Sequence, residues 1–426
     1  MTTNIPLLSI FFLPVLMLVM RGGYVVGNLL LLGLSIAIII RSRFRVSSFS
    51  RNKGSYIRFA LAFWVFAILG IGLSLYHQSG LKVISNYIPF LLAPIAYVGV
   101  VHCRVPIWPV WFGAATAGFV AFGISIYQLH AQAIDRAHGF MTNPIFFGNS
   151  AIIASSVSLI GLIALAKANR QPLAIAYLGL GAIAGIGASF FSGSKGGWIS
   201  LPILMIVVYH FAASIWSRKA ARIGGSIAAC LLVLTALSPN SPVLDRLHDL
   251  GSDISRWINN DSSVYGNTGT ASSRLEMWKF ALSVAGEHPV VGFGPQALKE
   301  RKVAAVANGD SDPIVSQYAH VHNEILDVYL DHGLIGLFGF VFLFGCLFTI
   351  FYPLRLNEDV QVKAIALAGI TFLLLFLEFG LTNPHLPFNA PRNIFCGWAV
   401  VLAGLLHNRL LATNEERGEN TEFNSY

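Results

Sequence analysis

Apolar segments of about 16 to 21 residues recur along the chain, and short polar stretches between them hold most of the charged residues. About 20 apolar residues in a helix cross the hydrocarbon core of a bilayer. A chain in lipid must pair its backbone groups internally, and these segments are too long and too uniformly apolar to be barrel strands. The pattern therefore predicts an all-α polytopic membrane protein.

Twelve transmembrane helices are predicted from the change between apolar and polar residues. They lie at about residues 5–20, 24–40, 57–76, 84–101, 108–128, 146–166, 172–190, 198–216, 222–238, 334–352, 364–381 and 393–408. The first segment lacks a basic stretch before it and a small-residue cleavage site after it. We interpret it as a retained span rather than a signal peptide.

One long polar segment, at about residues 239–333, interrupts the apolar pattern. It divides the chain into helices 1–9 (residues 1–238), a large loop (239–333), helices 10–12 (334–408) and a tail (409–426). The loop contains helical patterns of its own, so the expected fold is a helical membrane bundle with one large loop that carries short helices.

Composition supports a membrane protein and excludes several other classes. The 426 residues are 55% hydrophobic and 11% charged, and the mean hydropathy is +0.66. Soluble domains carry roughly a quarter charged residues, so a soluble, disordered or collagen-like protein is excluded. The net charge of +8 comes from residues scattered between apolar segments, which argues against nucleic-acid binding. The four cysteines show no metal-ligand spacing.

The loop charges predict the orientation. With the N-terminus inside, the inner loops and the C-terminal tail hold 16 of the 28 lysines and arginines, and the short outer loops hold 5. Positive charge concentrates on the cytoplasmic side of membrane proteins. Both termini are therefore expected in the cytoplasm, and the 239–333 loop is expected in the periplasm or outside the cell.

Two local patterns in the long loop predict helices. Ser273 and Glu276 have capping-box spacing, with Ser273 as the N-cap. Residues 322–332 place three acids on one helical face, which predicts an amphipathic helix at the outer interface. Gly333 is expected to end that helix before the tenth span.

Three segments on the predicted outer side carry candidate anion-binding residues. Lys195 lies in a Gly-Ser turn at a helix start, Arg274 follows Ser273, and Arg136 precedes the sixth span. Free N–H groups at a helix start and a nearby cation suit phosphate. The alternatives are a flexible turn for Lys195, a solvated surface residue for Arg274 and an ordinary loop charge for Arg136.

His320, His322 and Asn323 enter the predicted amphipathic helix. A histidine accepts a proton near neutral pH, so it can act as the general base for a sugar hydroxyl. The alternatives are a structural role or a metal site, although no third ligand has suitable spacing. We interpret the Asp310-Ser-Asp312 pattern as a loop turn rather than a metal site.

With these residues assembled, the chain resembles the O-antigen ligase and polymerase superfamily. The ligase-type signature is matched by His322-Asn323, nine residues, and then Gly333-Leu-Ile-Gly336. A second motif, an arginine-led helix with a tryptophan followed by a Pro…Gly-x-Gly turn, is matched by residues 274–278 and 289–294. The family commonly has Ser-Arg where this chain has Ser194-Lys195, and lysine lacks the bidentate fork of arginine.

The resemblance implies a GT-C-like glycosyltransferase with a periplasmic active site in the inner membrane of a Gram-negative bacterium. Its donor would be an undecaprenyl diphosphate-linked glycan and its acceptor the lipid A–core oligosaccharide. An O-antigen polymerase and a protein O-oligosaccharyltransferase are the alternatives within the superfamily. The intact signature and the short C-terminal tail favour the ligase.

The expected mechanism is a direct, inverting displacement that needs no metal cofactor. His322 would accept the proton of the acceptor hydroxyl, and Arg274 would hold the diphosphate with help from Lys195 and Arg136. His320 remains open as the histidine that faces the acceptor. The resemblance also makes two neighbours of the base, Asn323 and Glu324, candidates for orienting the acceptor or the imidazole.

A lipid-linked glycan flippase or solute transporter is the rival from another class, because twelve spans suit a transporter. Transporters often show paired half-repeats, and this chain shows none. Few ionisable residues lie within the apolar segments, Glu378 being the clearest, whereas proton-driven transport normally needs a buried series of them. The polar residues instead concentrate in one outer loop, which favours surface chemistry.

Overall fold

The computed structural model describes residues 4–41, 53–141, 143–168, 171–216, 242–259 and 271–416, with short pieces at 218–219, 221–222 and 224–226. Every regular element in these ranges is helical. The helices are α1 (Asn4–Val19), α2 (Gly23–Arg41), α3 (Lys53–Tyr76), α4 (Gly80–Ile84), α5 (Ile88–His102), α6 (Trp108–His130), α7 (Pro144–Lys167), α8 (Pro172–Ser192), α9 (Lys195–Ile215), α10 (Pro242–Ile258), α11 (Ala271–Val284), α12 (Gly294–Ala307), α13 (Ile314–Gln317), α14 (Glu324–Phe351), α15 (Val360–Thr382) and α16 (Asn389–Glu416).

The all-α polytopic architecture is confirmed. Ten helical segments of the described chain are long and apolar enough to cross a membrane, and α1 adds a shorter apolar helix at Ile5–Val19. These eleven coincide with eleven of the twelve predicted spans. The predicted ninth span, at about 222–238, lies largely outside the described residues.

Glycines let the membrane helices approach closely. A Cβ added to Gly118 of α6 would overlap the carbonyl oxygen of Gly181 in α8, and one added to Gly113 of α6 would overlap the backbone of Phe11 in α1. Helices in lipid gain stability from close backbone packing, since burial of apolar surface gives no advantage over lipid. This packing brings α6 into direct backbone contact with both α1 and α8.

The described part of the long loop has a small core of its own. Met277 and Phe280 of α11 pack with Leu298 of α12, Ile314 of α13 and Leu330 of α14. This cluster is separate from the main core of the membrane bundle. The loop helices are thus held as a packed layer on one end of the bundle.

The predicted break at Gly333 is confirmed. Gly333 has φ 61° and ψ −159°, a conformation that is essentially restricted to glycine. The turn at 289–293 pairs the backbone groups that the break frees. Leu334 N–H donates to Pro289 (2.8 Å), and Phe293 N–H donates to Leu330 (2.8 Å). The Pro…Gly-x-Gly motif therefore joins the loop layer to the tenth predicted span.

The predicted capping box at Ser273 is wrong. Helix α11 begins at Ala271, so Ser273 lies inside the first turn. The Ala271 N–H donates to the Asp253 carboxylate of α10 (3.4 Å), and Glu276 accepts a hydrogen bond from Trp257 Nε1 (2.7 Å) instead of folding back onto the helix start. Contacts from α10 thus replace the local cap.

The acids of the predicted amphipathic helix face inward. Glu324 and Asp327 are only 3% and 4% exposed, whereas the apolar Ile325 is 40% exposed. Asp327 accepts the backbone N–H of Val321 (2.7 Å), and Lys302 of α12 is the buried cation on this side. The acidic face therefore belongs to the interior of the loop layer.

Candidate functional site

The segment before α14 holds His322 in an unusual backbone conformation. His322 has φ +56°, in the left-handed region that residues other than glycine rarely adopt. The preceding Val321 is fully buried. Its N–H donates to Asp327 (2.7 Å), and its carbonyl accepts from Trp278 Nε1 (3.0 Å). These two bonds hold the strained residue in place, and strain of this kind occurs mainly at functional sites.

The hydrogen bonds of His322 determine which ring nitrogen carries its proton. Asn383 Nδ2 donates to the carbonyl of Pro384 (3.2 Å), so Asn383 Oδ1 faces His322 Nδ1 at 2.9 Å. Because Oδ1 only accepts, Nδ1 must be the donor. In the neutral ring, the lone pair is then on Nε2. His322 therefore presents a proton acceptor to its surroundings.

The surroundings of His322 keep it neutral. Burial lowers its pKa to about 4, and the hydrogen bond that Nδ1 donates to Asn383 only partly offsets this effect. The positive charges of Arg274 and Lys302 lower the pKa further. At neutral pH the imidazole is thus in the unprotonated form that a general base requires.

Arg274 stands one helical turn before Trp278, which bonds the carbonyl directly before His322, so the same face of α11 carries its guanidinium toward this segment. It stands in the first turn of α11, and burial lowers its pKa, while the nearby Tyr318 phenol opposes that shift. Within the described part of the chain, its guanidinium makes no hydrogen bond or ion pair. A half-buried cation of this kind, beside a neutral base, can hold an anionic group.

Lys195 begins α9, directly after its N-cap. Ser194 caps the helix by accepting from Gly197 N–H (3.4 Å), and its own hydroxyl donates to Asn149 Oδ1 of α7 (2.9 Å). A Cβ added to Gly196 would come within 2.5 Å of Thr382 Oγ1 at the end of α15. The Lys195 turn therefore lies against the segment that supplies Asn383.

Arg136 contacts the end of α8. Its Nε donates to the carbonyl of Ser192 (2.9 Å), and one terminal nitrogen donates to that of Gly193 (3.2 Å). These are the carbonyls at the C-terminal end of α8, where a cation is favourable. Arg136 therefore supports the shape of the Lys195 turn through backbone contacts.

The two neighbours of His322 in the sequence also have structural partners. Asn323 is the N-cap of α14 and accepts from the N–H groups of Ile325 (3.0 Å) and Leu326 (3.1 Å). Glu324 is buried and accepts the backbone N–H groups of His385 and Leu386. Glu324 thus orients the imidazole of His322 only indirectly, by holding the loop that carries Asn383.

His320 packs edge-on against His322, with ring centroids 4.3 Å apart. Its Nδ1 is buried with no hydrogen-bond partner, and burial lowers its pKa to about 3, assisted by His322 and Lys302. It also contacts Phe388 at a centroid distance of 5.3 Å. Only His322, of the two histidines, has a side-chain partner that determines its tautomer.

Metal-ligating side chains do not gather in groups of three anywhere in the described ranges. Asp312 accepts from Ile314 N–H (2.7 Å) at the start of α13, so the Asp310-Ser-Asp312 segment is the loop turn that the sequence indicated.

Four residues of the site are not among those predicted from the sequence, namely Lys302, Asn383, His385 and Asn149. Lys302 is 1% exposed, and its ammonium donates to the carbonyls of Tyr318 (3.2 Å) and Ala319 (2.9 Å), directly before His320. Nothing distinguishes it from the neighbouring lysine and arginine in the sequence. The Asn383-Pro-His385 run did carry a signal, because polar residues and a proline directly follow an apolar span there.

Comparison with known proteins finds a family that matches part of the chain. Residues 180–341 match the family model described as O-antigen ligase, a segment that contains Lys195, Arg274 and His322. An uncharacterised protein of Haemophilus influenzae is 24% identical over 404 residues, which cover 91% of this chain and 94% of that protein. The match supports a glycan-transfer activity of the ligase or polymerase type in a multi-pass membrane protein. The resemblance to the O-antigen ligase superfamily is thus confirmed over residues 180–341.

Proposed function

We propose that this protein transfers a glycan from undecaprenyl diphosphate to the lipid A–core oligosaccharide at the periplasmic face of the inner membrane. The observation that carries the proposal is the state of His322. It is a neutral imidazole with its proton on Nδ1 and its lone pair on Nε2, and it lies beside the half-buried cation of Arg274. A base next to an anion-binding group is what transfer from a diphosphate donor requires.

In the proposed reaction, the acceptor hydroxyl attacks the anomeric carbon of the donor glycan while His322 Nε2 takes its proton. The bond from that carbon to the diphosphate oxygen breaks, and its electron pair leaves with the undecaprenyl diphosphate. The single displacement inverts the anomeric configuration. Arg274 stabilises the negative charge that builds on the diphosphate, and Lys195 contributes a second positive charge from the start of α9.

Arg136 and Glu324 act in this proposal by positioning other groups. Arg136 holds the carbonyls that precede the Lys195 turn, and Glu324 holds the backbone at His385. Asn323 ties the base to the start of α14 through its capping bonds.

Reconstitution with defined substrates tests the proposal. The purified protein in lipid receives an undecaprenyl diphosphate-linked glycan and lipid A–core, and products are separated by gel and mass spectrometry. Glycan on lipid A–core is expected from the wild type, with a loss of at least about 100-fold in His322→Ala. His130→Ala, which removes an exposed histidine at the end of α6, is the matched control and should retain activity.

The alternatives give different results, a polymerase in the same assay and a transporter in a separate transport measurement on the proteoliposomes. Longer glycans that remain on the lipid carrier would identify a polymerase, and transport without a covalent product would identify a flippase or transporter. Retention of configuration in the product, measured by NMR of the anomeric centre, would refute the single displacement.

A further inference from the structure

A chain of hydrogen bonds runs from the Lys195 turn to His322 through the interior of the bundle. The Ser194 hydroxyl donates to Asn149 Oδ1 (2.9 Å), and Asn149 Nδ2 lies 3.1 Å from His385 Nε2. His385 Nδ1 lies 2.7 Å from the backbone carbonyl of Asn383, whose side chain bonds His322. The N-cap of α9, Asn149 of α7 and the loop after α15 are therefore linked in one hydrogen-bonded chain.

The polarity of this chain follows from one carbonyl. The carbonyl of Asn383 can only accept, so His385 Nδ1 must carry a proton. The Nε2 of a neutral ring must then accept, and Asn149 must present its NH₂ group there. The Asn149 oxygen is left to accept from the Ser194 hydroxyl. Each proton in the chain thus has one position that is consistent with all the partners.

His385 is unsuited to be a second base. It is 2% exposed, both of its ring nitrogens have partners, and burial lowers its pKa to about 4. A proton on Nε2 would point at the NH₂ group of Asn149. The rings of Phe379, Phe146 and Phe376 surround the imidazole with centroid distances of 5.4 to 5.8 Å. The ring is therefore held in one orientation.

We propose that His385 is a positioning residue that acts through Asn383 to hold His322 in the Nδ1–H tautomer, and that Asn149 links this unit to the Ser194–Lys195 turn. The hydrogen bonds thereby fix the position of His322 relative to the turn at the start of α9. The catalytic consequence rests on the proposed function, whereas the tautomer of His322 is a property of the folded protein alone.

The tautomers are measured by ¹⁵N NMR on histidine-labelled protein in lipid nanodiscs, with signals assigned from His322→Gln and His385→Gln. The wild type is expected to show the Nδ1–H tautomer at both residues. In His385→Gln, His322 should become a mixture of tautomers. His407→Gln is the matched control, because His407 is equally buried and bonds Tyr97 (2.9 Å) in a different part of the bundle. It should leave the His322 signal unchanged.

Transfer kinetics give the second readout. His385→Gln is expected to lower kcat by about 10- to 100-fold, with little change in the KM of the donor, because substrate contacts remain. Asn383→Asp places a carboxylate on Nδ1, which favours the imidazolium form. The acid limb of the pH–rate profile should then move upward by at least about one pH unit. The groups that face His322 otherwise stay the same, namely Arg274, Lys302, His320 and Tyr318.

Three results would overturn the proposal. The first is a wild-type His322 in the Nε2–H tautomer, which needs no variant to fold. The second is an unchanged His322 tautomer in a folded His385→Gln protein. The third is an unchanged pH profile in an active Asn383→Asp protein. If the wild type transfers no glycan at all, the proposed function fails, and the NMR measurement still decides the positioning role of His385.

Discussion

Gly333 offers a sharp test of how the loop layer is joined to the bundle, because its backbone conformation and its surroundings both exclude a side chain. Its φ of 61° and ψ of −159° lie in a region that is essentially restricted to glycine. A Cβ there would overlap the carbonyl of Val290 and lie 2.6 Å from the Gly292 nitrogen. The obstructing atoms are backbone, so they cannot rotate away.

The expected cost of Gly333→Ala is the sum of two effects. The backbone strain costs about 1–3 kcal/mol, and displacement of a packed turn costs about another 1–3 kcal/mol. The total of about 2–6 kcal/mol should lower the apparent unfolding midpoint by about 2–7 °C, because the unfolding entropy of a chain of this length is about 0.9 kcal/mol/K. The assay is thermal unfolding of detergent-solubilised protein, read by intrinsic fluorescence and by the monodisperse fraction that remains.

Two variants make the test specific. Gly345→Ala lies later in α14, where an added Cβ meets nothing within 4 Å, so it should be neutral or slightly stabilising. Gly333→Asn tests whether the position has the ordinary left-handed conformation, which asparagine tolerates, or the glycine-only conformation that the structure shows. It should be as damaging as Gly333→Ala. An asparagine variant with wild-type stability, or equal midpoints for both alanine variants, would refute the reasoning.

Three further predictions concern the site itself. Arg274→Lys should lower transfer by about 100-fold, measured as kcat/KM in the reconstituted assay, because lysine keeps the charge and loses the bidentate geometry; wild-type activity would exclude a fork-like contact to the diphosphate. The pKa of His322 is about 4, lowered by burial, so its base form persists above that pH and the wild-type rate should not fall through loss of this base between pH 5 and 8; an acid limb centred at pH 6 to 7 would contradict this. Trp278→Phe removes the donor to Val321 and should destabilise the fold by about 1–3 kcal/mol and reduce kcat, whereas Trp64→Phe, which removes a similar bond to Leu91 (3.1 Å) within the membrane bundle, should leave kcat unchanged.

The expectation that no metal is needed is tested in the same assay. Transfer should persist in excess EDTA, because Arg274 and Lys195 supply the positive charge at the diphosphate in the proposed mechanism. A strict requirement for added Mg²⁺ or Mn²⁺ would refute that part of the mechanism.

Each of the two sequence motifs combines residues with different roles. His322 and Arg274 bring a base and a cation together, whereas Gly333 and Gly292 allow two backbone segments to touch. A Cβ on Gly292 would come within 2.5 Å of the His332 nitrogen, and Gly292 itself has φ +74°. Trp278 connects the tasks, since it bonds the backbone directly before the base. The spacing of the motifs in the sequence does not by itself distinguish candidate catalytic residues from glycines that are needed for close backbone packing.

Local patterns were sufficient for the membrane helices, the helix break and the main candidate residues. Apolar length determines whether a segment can span a bilayer, and glycine alone suits the break at Gly333, so neither depends on distant contacts. The helix start at Ser273 was wrong because Asp253 of α10 accepts the N–H of Ala271 from 18 residues away. A capping pattern in the local sequence cannot predict a hydrogen bond that a residue of another helix supplies to the helix start.

The tertiary structure alone decided the partners that give each polar side chain its role. His322 meets Asn383 across 61 residues of sequence, and Asn149 meets His385 across 236. The Arg136 guanidinium donates to carbonyls at the end of α8, Glu324 accepts from the backbone at His385, and Asp327 is buried on the side of Lys302. Hydrophobic periodicity reports which face of a helix is apolar, whereas a hydrogen bond depends on the position of atoms to within a fraction of an ångström. The sequence therefore determined the membrane architecture and the candidate base, and the packing of the helices decided its tautomer and its neighbours.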